Sequence, residues 1–339
     1  MPADTYGIYG DLVVTKLGSG KYSDVFAVEV RHAARGKVAM KVMFYRDSTL
    51  RRAARAVLRG DVQAAVYAKR RDAISVSREF SKLTQAWAQT VSPHFVLVYV
   101  CEDVDGLADR FEHVLHHRLC TLTKLQRMHT NVSFMELFDA NMTTALSQGT
   151  IGDGTARQLL FQVLFTLAAL QRLLPGFRHN DLSTNNVLVR RVRPWSAKYS
   201  YRGASYVLVD VPMFAAMSDY DFIHVPGHST LSNERILGGR YPGMSSRTNP
   251  SYDTHVFLKS VSRAVPPGRY PSLERFLASL DLGNSARQDG VVMPRLFPAA
   301  LLTHSYFEGL REQHPATAVP TVATPPAPAA AAHLVLFSV

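Results

Sequence analysis

The sequence predicts an α+β fold with a small, β-rich N-terminal lobe and a larger, mainly helical C-terminal lobe. Three observations lead to this prediction. Residues 11–45 are rich in Val, Phe and Tyr and are interrupted by glycine, residues 153–174 carry a strong helical pattern, and the chain after Asp253 is mostly helical in pattern. The 339 residues suffice for one large two-lobed domain or for two ordinary domains.

The N-terminal lobe is assigned to residues 1–137. After the first strands, residues 46–72 are Ala- and Arg-rich with apolar residues at helical spacing, which predicts a basic helical insert. A further helix over 75–90 and two strands, in "FVLVYVCED" and "VSFMELF", complete this lobe.

The C-terminal lobe is assigned to residues 138–312. Its helix over 153–174 is stopped by Pro175–Gly176. The stretches "NVLVRRV" and "SYVLVD" predict a hairpin with a long basic connection around 193–204. Five prolines within 315–328 predict that the Pro- and Ala-rich tail, residues 313–339, is disordered.

The charge and the cysteine content limit which binding partners and which cellular compartment are expected. The net charge of +11 and the pI near 9.7 allow contacts with acidic partners or nucleic acid. The pattern of the basic insert itself favours a solvated amphipathic helix over a partner or nucleic-acid site. Two cysteines, an N-terminus without a signal-peptide pattern and the lack of a membrane-length apolar run predict an intracellular protein, cytoplasmic or nuclear, without a membrane partner.

The stretch "LGSGKYSDVFAV" starts at Leu17 and holds two glycines between predicted strands. Without Cβ atoms, Gly18 and Gly20 let the backbone approach a phosphate closely, but the pair is also compatible with an ordinary hairpin turn. Neither the P-loop nor the dinucleotide fingerprint fits, because no Gly-Lys-Ser/Thr follows and no helix comes next.

A lysine lies inside the apolar strand "VAMKV". Strand alternation places Ala39 and Lys41 on one face, and an inward lysine needs an anion, unless it protects a sheet edge from aggregation. Glu79 is the only glutamate between Lys41 and Glu102, so it is the predicted ion-pair partner.

The stretch "FRHNDLSTNN" at 177–186 brings Asp181 and Asn186 within five positions. A carboxylate and a carboxamide at this spacing could share a bound ion and a reacting group, although Asn, Asp and Ser are also common loop residues.

Taken in order, these motifs resemble the protein-kinase signature, with Gly18-x-Gly20 and Val25 followed by Lys41, Glu79, "HNDLSTNN" and "VLVD". The glycine-rich stretch is similar to that of casein kinase II-type enzymes. "FRHNDLSTNNVLV" and "SYDTHVFLKSV" are similar to the divergent serine/threonine kinases of large DNA viruses. The resemblance covers about residues 10–265 and implies a bilobal, protein-kinase-like fold.

The resemblance implies an ATP site in which Lys41 holds the α- and β-phosphates and Glu79 fixes its ammonium group. Met135 would be the gatekeeper, and the backbone of Glu136 and Phe138 would contact the adenine edge. The full implied set is Leu17, Gly18, Gly20, Val25, Ala39, Lys41, Met135, Glu136 and Phe138.

The resemblance also implies the catalytic and metal residues. Asp181 would accept the proton of the substrate hydroxyl, and Asn186 and Asp210 would hold Mg²⁺ against the phosphates. Asp253 would be a buried aspartate of a central helix that tethers the catalytic loop, and His179 is interpreted as structural.

Several departures leave alternatives open. Asn180 replaces an arginine, Ser183 replaces a lysine that steadies the γ-phosphate, and no Ala-Pro-Glu sequence is present. The main hypothesis is an ATP- and Mg²⁺-dependent protein serine/threonine kinase. The alternatives are a small-molecule phosphotransferase of the choline or aminoglycoside kinase type, which the missing Ala-Pro-Glu favours, and a pseudokinase scaffold. The scaffold has no chemical need of the four residues Lys41, Asp181, Asn186 and Asp210.

Overall fold

The computed structural model shows a mixed α/β protein with an antiparallel sheet in its N-terminal part, compatible with the predicted kinase-like fold. It describes residues 6–9, 11–20, 22–30, 37–70, 72–237, 246–283, 292–312 and 334–338. The chain divides into two compact units, Met1–Lys82 with Leu97–Leu137 and Leu83–Val96 with Phe138–Val339. Residues 83–96 therefore group with the second unit, whereas the predicted N-terminal lobe ran unbroken to residue 137.

The first unit is built on a six-stranded antiparallel sheet in the order β1-β2-β3-β4-β6-β5. The strands are β1 (Tyr6–Tyr9), β2 (Leu12–Ser19), β3 (Ser23–Val30), β4 (Val38–Phe44), β5 (Val98–Asp105) and β6 (His129–Met135). The helices that begin in this unit are α1 (Asp47–Leu58), α2 (Val62–Arg70), α3 (Ala73–Trp87), α4 (Leu107–Arg110), α5 (Glu112–Leu119) and α6 (Lys124–Met128).

One face of this sheet is covered by helices between β5 and β6 that the sequence pattern did not reveal. Met40 and Val42 of β4 belong to the same buried cluster as Leu115 of α5. Since successive residues of a strand point to opposite faces, Ala39 and Lys41 lie on the face away from these helices. The predicted alternation in "VAMKV" is thereby confirmed.

The basic insert predicted at 46–72 is a helical hairpin rather than one helix. α1 and α2 pack through Ala53, Ala56 and Ala65, and the chain reverses at Gly60, whose φ is 76°. A buried ion pair closes the base of the hairpin, with Arg46 Nε 2.9 Å from Asp72 Oδ2. The two ends of the insert are therefore joined to each other.

The second unit surrounds a long helix whose central part is fully buried. Its further elements are β7 (Ala140–Asn141), α7 (Met142–Ser147), α8 (Asp153–Leu173), β8 (Val187–Tyr201), β9 (Ala204–Met217), α9 (Glu234–Leu237), α10 (Tyr252–Ala264), α11 (Pro271–Ser279), α12 (Pro298–Leu301) and β10 (Leu334–Ser338). α8 is buried without interruption from Leu159 to Leu170, which is typical of a helix in the centre of a core. Gln162 holds β9 along this helix, since its side chain bonds the backbone of Met213 and Ala215 at 3.3 and 2.8 Å.

The predicted hairpin is much longer than its sequence signal. β8 and β9 pair from Val187–Met217 to Tyr201–Ala204, so the predicted long connection around 193–204 is strand almost throughout. The chain reverses at Arg202 and Gly203, whose φ values of 49° and 79° are those of a tight hairpin turn of the I′ kind. The prediction of a loop there was wrong because the basic residues alternate with buried Trp195, Ala197 and Tyr199.

The tail prediction is corrected at its end. Residues 313–333 lie outside the described part of the chain. Leu334–Ser338 forms β10, which pairs in parallel with Ser196–Ser200 of β8. This short apolar run can satisfy its backbone groups on the edge of β8.

A buried histidine behind the hairpin gives the fold a predictable pH dependence. His94 Nδ1–H donates to the carbonyl oxygen of Ala215 and His94 Nε2 accepts from the Tyr199 hydroxyl, both at 2.8 Å. Burial lowers the pKa of His94 to about 3, although the bond to Ala215 opposes this shift.

The unfolded chain therefore takes up this proton near pH 6.5 and the folded chain does not, so stability is lost as the pH falls from 6.5 towards about 3. We expect the free energy of unfolding to fall with pH in this window, and to fall less steeply in His94→Gln. Urea titrations of both proteins at several pH values check this result, and equal slopes would contradict it.

Candidate active site

The loop that follows α8 is held in place by a buried carboxylate of α10. The backbone N–H groups of His179 and Asn180 donate to Asp253 Oδ2 and Oδ1 at 2.7 and 2.8 Å. Asp253 is 1% exposed. Burial raises the pKa of its carboxyl, against the opposing charges of His179 and Arg178 and the two amide bonds. The predicted tether of the loop by Asp253 is confirmed.

Asp253→Ala is expected to leave two buried N–H groups without an acceptor and to lower the free energy of unfolding by about 3 kcal/mol. Thermal or urea unfolding measures this loss. Arg263→Ala is the matched control, because Arg263 is an exposed residue of the same helix. A loss no larger than that of the control would show that Asp253 does not hold the loop.

Asp181 and Asn186 lie side by side, as the spacing in the motif predicts. The Asn186 Nδ2 group donates to the backbone oxygen of Asp181 at 2.7 Å and to its carboxylate Oδ2 at 3.2 Å. Because the NH₂ end of the amide is turned to Asp181, the Oδ1 end is the one placed to act as an oxygen ligand.

The hairpin register decides which carboxylate stands next to Asn186. Val187 at the start of β8 pairs with Met217 at the end of β9. The next residue, Ser218, donates from its backbone N–H and its hydroxyl to the carbonyl oxygen of Asn186, at 2.9 and 3.0 Å. Asp219 follows directly, in a left-handed conformation with φ 62° and ψ 67°. The fold thus brings Asp181, Asn186 and Asp219 to one end of the hairpin.

The metal role predicted for Asp210 does not fit this geometry. Asp210 is an exposed residue of β9, and its backbone N–H bonds Ser196 Oγ on the neighbouring strand at 3.3 Å. It lies seven residues before Met217, which at about 3.3 Å per strand residue is about 20 Å from the Asn186 end of the hairpin. Asp210 and Asn186 cannot bind one ion at that separation.

His179 fixes the segment that carries Asp219. Its Nε2–H donates to the carbonyl oxygen of Ser218 at 3.0 Å, and its ring lies 5.6 Å from that of buried Tyr220. Asn180, at φ 65°, donates from its side chain to the carbonyl oxygen of Phe222 at 2.9 Å. The interpretation of His179 as a structural residue agrees with these contacts.

In the first unit, the register groups several of the residues assigned to ATP. Val25 pairs with Lys41 across β3 and β4, and Ala39 pairs with Met135 across β4 and β6. Cross-strand partners point to the same face of a sheet, so these four side chains share the face away from α4–α6. Lys41 itself is half-buried there.

The glycine-rich stretch is a tight reversal between β2 and β3. The β2–β3 register shifts between Lys16 and Gly18, and Gly20 N–H donates to the carbonyl oxygen of Ser23 at 2.7 Å. Leu17, at the start of the stretch, is 53% exposed. This is a hairpin with Gly20 at its turn and Gly18 at the register shift in β2, which both sequence interpretations allowed.

The last two assigned residues lie after β6. Glu136 N–H donates to the carbonyl oxygen of Leu97 at 3.0 Å. Phe138 lies in the second unit, and its ring is 5.1 Å from the guanidinium carbon of Arg190.

The predicted ion pair between Lys41 and Glu79 is not the contact that Glu79 makes in this structure. Glu79 lies on α3, 2.9 Å from Lys82 Nζ and 3.9 Å from Arg78 Nε, with its side chain 40% exposed. A pair with Lys41 therefore requires Glu79 to exchange these surface partners. Exposed pairs within a helix contribute only about 0.3–0.5 kcal/mol, so the exchange is inexpensive.

Within the described residues, no group of three or more His, Cys, Asp and Glu side chains is placed to hold a metal ion. Asn186 and Asp219 offer two oxygen ligands, which suits Mg²⁺ in a site completed by phosphate oxygens and water. Among the described helices, none has both the length and the apolar character that a membrane crossing requires.

Two comparisons support a kinase-like assignment. Over 112 residues the chain is 28% identical to "Putative serine/threonine-protein kinase R400" of Acanthamoeba polyphaga mimivirus, covering 30% of this chain and 23% of that protein. Over 150 residues it is 26% identical to "Putative serine/threonine-protein kinase 019R" of Frog virus 3 (isolate Goorha), covering 41% of this chain and 17% of that protein.

The chain thus spans less than a quarter of the length of either relative. No protein-family model matches the chain. Together, the partial similarity to two viral proteins and the loop geometry indicate a kinase-like protein with relatives among large DNA viruses.

Proposed function

We propose that the protein transfers the γ-phosphoryl group of ATP to Ser or Thr hydroxyl groups of protein substrates, with Mg²⁺ as the metal. The observation that carries this proposal is the meeting of Asp181, Asn186 and Asp219 at one end of the β8–β9 hairpin, beside a loop tethered by Asp253. Similarity to viral proteins named as serine/threonine kinases supports the protein substrate.

The metal would be held by Asn186 Oδ1 and the Asp219 carboxylate. When bound, Mg²⁺ would neutralise charge on the phosphates that this chain presents to the acceptor. Asp219 is half-buried and lies directly after the strand that pairs next to Asn186, so its backbone position is fixed by the sheet rather than by a flexible loop. Asp210 has no part in this proposal.

Asp181 would orient the acceptor hydroxyl and take its proton. The hydroxyl oxygen attacks the γ-phosphorus, the bond from the γ-phosphorus to the bridging oxygen breaks, and ADP leaves with that electron pair. The Asn186 amide bonds both the backbone oxygen and the carboxylate of Asp181, which restricts the rotation of the base. Ser183, which replaces a lysine of the family pattern, donates its backbone N–H to the Asp181 carbonyl at 2.9 Å.

The first unit would bind the nucleotide. Lys41 would hold the α- and β-phosphates, with Glu79 as its partner once Glu79 leaves Lys82 and Arg78. The glycine-rich stretch, with Leu17, Gly18, Gly20 and Val25, would cover the phosphates and the adenine together with Ala39, Met135 and Glu136.

The test is incubation of the purified protein with radiolabelled ATP and Mg²⁺, separately beside general protein substrates, choline and aminoglycosides. We expect label on Ser and Thr of protein and none on the small molecules. Label on a small molecule only would replace this function by a small-molecule phosphotransferase. Label nowhere, with ATP still bound, would favour the scaffold hypothesis.

A further inference from the structure

A buried carboxylate lies directly beside the turn of the glycine-rich stretch. Asp24 of β3 is 1% exposed, and a buried carboxylate is costly unless it is paired and hydrogen-bonded. Ser19 Oγ donates to Asp24 Oδ1 at 2.5 Å, and Lys16 Nζ lies 3.4 Å from the same oxygen. Asp24 therefore joins the two strands on either side of the turn.

The main partner of Asp24 comes from the helices that cover the sheet. Arg118 of α5 donates from Nε to Asp24 Oδ2 at 2.9 Å. Its Nη2 group donates to the carbonyl oxygens of Gly20 and Ser23 at 2.5 and 3.1 Å. The Arg118 guanidinium thus binds the buried carboxylate and two backbone carbonyls of the turn. Its planar group presents several N–H donors in a fixed geometry, which a lysine ammonium does not.

Arg118 is held by a rigid support. Val114, Leu115 and Leu119 of the same helix are buried in the cluster that covers the sheet, and the Arg118 side chain is only 17% exposed. Arg127 donates from Nη2 to the Leu119 carbonyl oxygen at 2.6 Å, at the end of α5. The position of Arg118 is therefore set by packing against the sheet.

The electrostatics keep Asp24 ionised. Burial alone raises the pKa of its carboxyl, but bonds from Arg118 and Ser19 and the charges of Arg118 and Lys16 outweigh burial and hold the pKa below its ordinary value. An ionised Asp24 keeps its attraction for Arg118 at neutral pH.

We propose that Arg118 is a positioning residue for phosphate binding: through Asp24, Gly20 and Ser23 it fixes the glycine-rich turn in the conformation that receives the nucleotide phosphates. This inference rests on the proposed function. Gly20, which has no Cβ, gives the turn conformational freedom. Arg118 of α5, between β5 and β6, restricts that freedom through its contacts with Asp24, Gly20 and Ser23. An ordered turn binds phosphates without losing backbone entropy at the moment of binding.

The first test measures amide hydrogen exchange in the glycine-rich stretch without nucleotide. Arg118→Ala is expected to raise the exchange rate over residues 17–25 by about tenfold, since charge-assisted bonds are the strong ones. Arg110→Ala, an exposed position on the neighbouring α4, is the matched control and should leave exchange unchanged. Equal exchange in wild type and Arg118→Ala overturns the proposal, whether or not the protein binds ATP.

The second test separates positioning from a general structural role. Arg118→Ala is expected to weaken binding of a non-hydrolysable ATP analogue by about tenfold while leaving adenosine binding unchanged, because only phosphate contacts depend on the turn. Equal losses for both ligands would show a structural role and overturn the proposal. If the wild-type protein binds neither ligand, the proposed function is refuted. The hydrogen-exchange experiment would still test whether Arg118 orders the glycine-rich turn.

Two further variants cover the case in which Arg118→Ala does not fold. Arg118→Lys keeps the charge but loses the fork, and Asp24→Asn keeps the size but loses the charge. If the pair acts as one unit, Asp24→Asn with Arg118→Lys should weaken the ATP analogue no more than the stronger single change. If the loss of affinity in the double variant equals the product of the two single losses, the two residues act independently and a shared role is contradicted.

Discussion

Asp219→Asn is expected to lower phosphoryl transfer by about 100-fold or more, whereas Asp210→Asn should stay within about twofold of wild type. The two changes are chemically identical. Asp210 lies in strand β9 and Asp219 follows the same strand, so each variant serves as the control for the other. Asp219 directly follows Ser218, which bonds Asn186, while Asp210 is exposed along the strand beside Ser196. Single-turnover transfer from labelled ATP measures both rates.

Full activity in Asp219→Asn together with loss in Asp210→Asn would show that the hairpin register does not define the metal site. Loss in both variants would require Asp210 to act in a way that its place in β9 does not explain. Melting temperatures of the two variants separate loss of transfer from loss of folding.

Asp181→Asn is expected to bind ATP and Mg²⁺ nearly as wild type does and to transfer phosphate about 10²–10⁴-fold more slowly. The change keeps the size of the side chain and removes the carboxylate that accepts the hydroxyl proton. The bond from Asn186 to the backbone oxygen of Asp181 does not depend on that carboxylate, so the loop should keep its shape. Rapid-quench transfer and nucleotide titration measure the two quantities.

Ser183→Ala is the neighbouring control for Asp181→Asn, because Ser183 contributes its backbone N–H to the loop and that group survives the change. Wild-type transfer in Asp181→Asn would remove the loop at 177–186 from the active site. Lost ATP binding in that variant, with folding intact, would give Asp181 a role in binding rather than in proton transfer.

Local patterns in the sequence were enough to predict the sheet face that carries Lys41, whereas the tether at Asp253 was implied by the family resemblance. Two-residue alternation in "VAMKV" fixes the face of each side chain, because every other residue must meet the apolar cluster. The motif at 177–186 predicted the Asp181–Asn186 contact from a spacing of five residues, which a short loop can close.

The length of the β8–β9 hairpin could not be predicted from a local pattern, because it depends on how far the two strands pair with each other. The stretch "VLVD" ends in an aspartate after an apolar run, so Asp210 resembled the residue that follows a strand. The available signal was Arg202–Gly203, a tight-turn pair, from which equal strands counted outward place Ser218 opposite Val187. The observed partner is Met217, because the register shifts around Trp195. The count therefore ends at the residue before Asp219.

The Arg118–Asp24 contact joins residues 94 positions apart in the sequence. Neither residue has a local pattern that identifies its partner, since the contact depends on how α5 packs on the sheet. The contacts of Glu79 with Lys82 and Arg78 are likewise set by side-chain rotation on α3, which residue order does not specify.

The most direct test of the central claim is the Mg²⁺ dependence of nucleotide binding in wild type, Asp210→Asn and Asp219→Asn, measured with a non-hydrolysable ATP analogue. If Asn186 and Asp219 hold the metal against the phosphates, added Mg²⁺ should strengthen binding in wild type and in Asp210→Asn and should have little effect in Asp219→Asn. Unchanged Mg²⁺ dependence in Asp219→Asn would contradict the account.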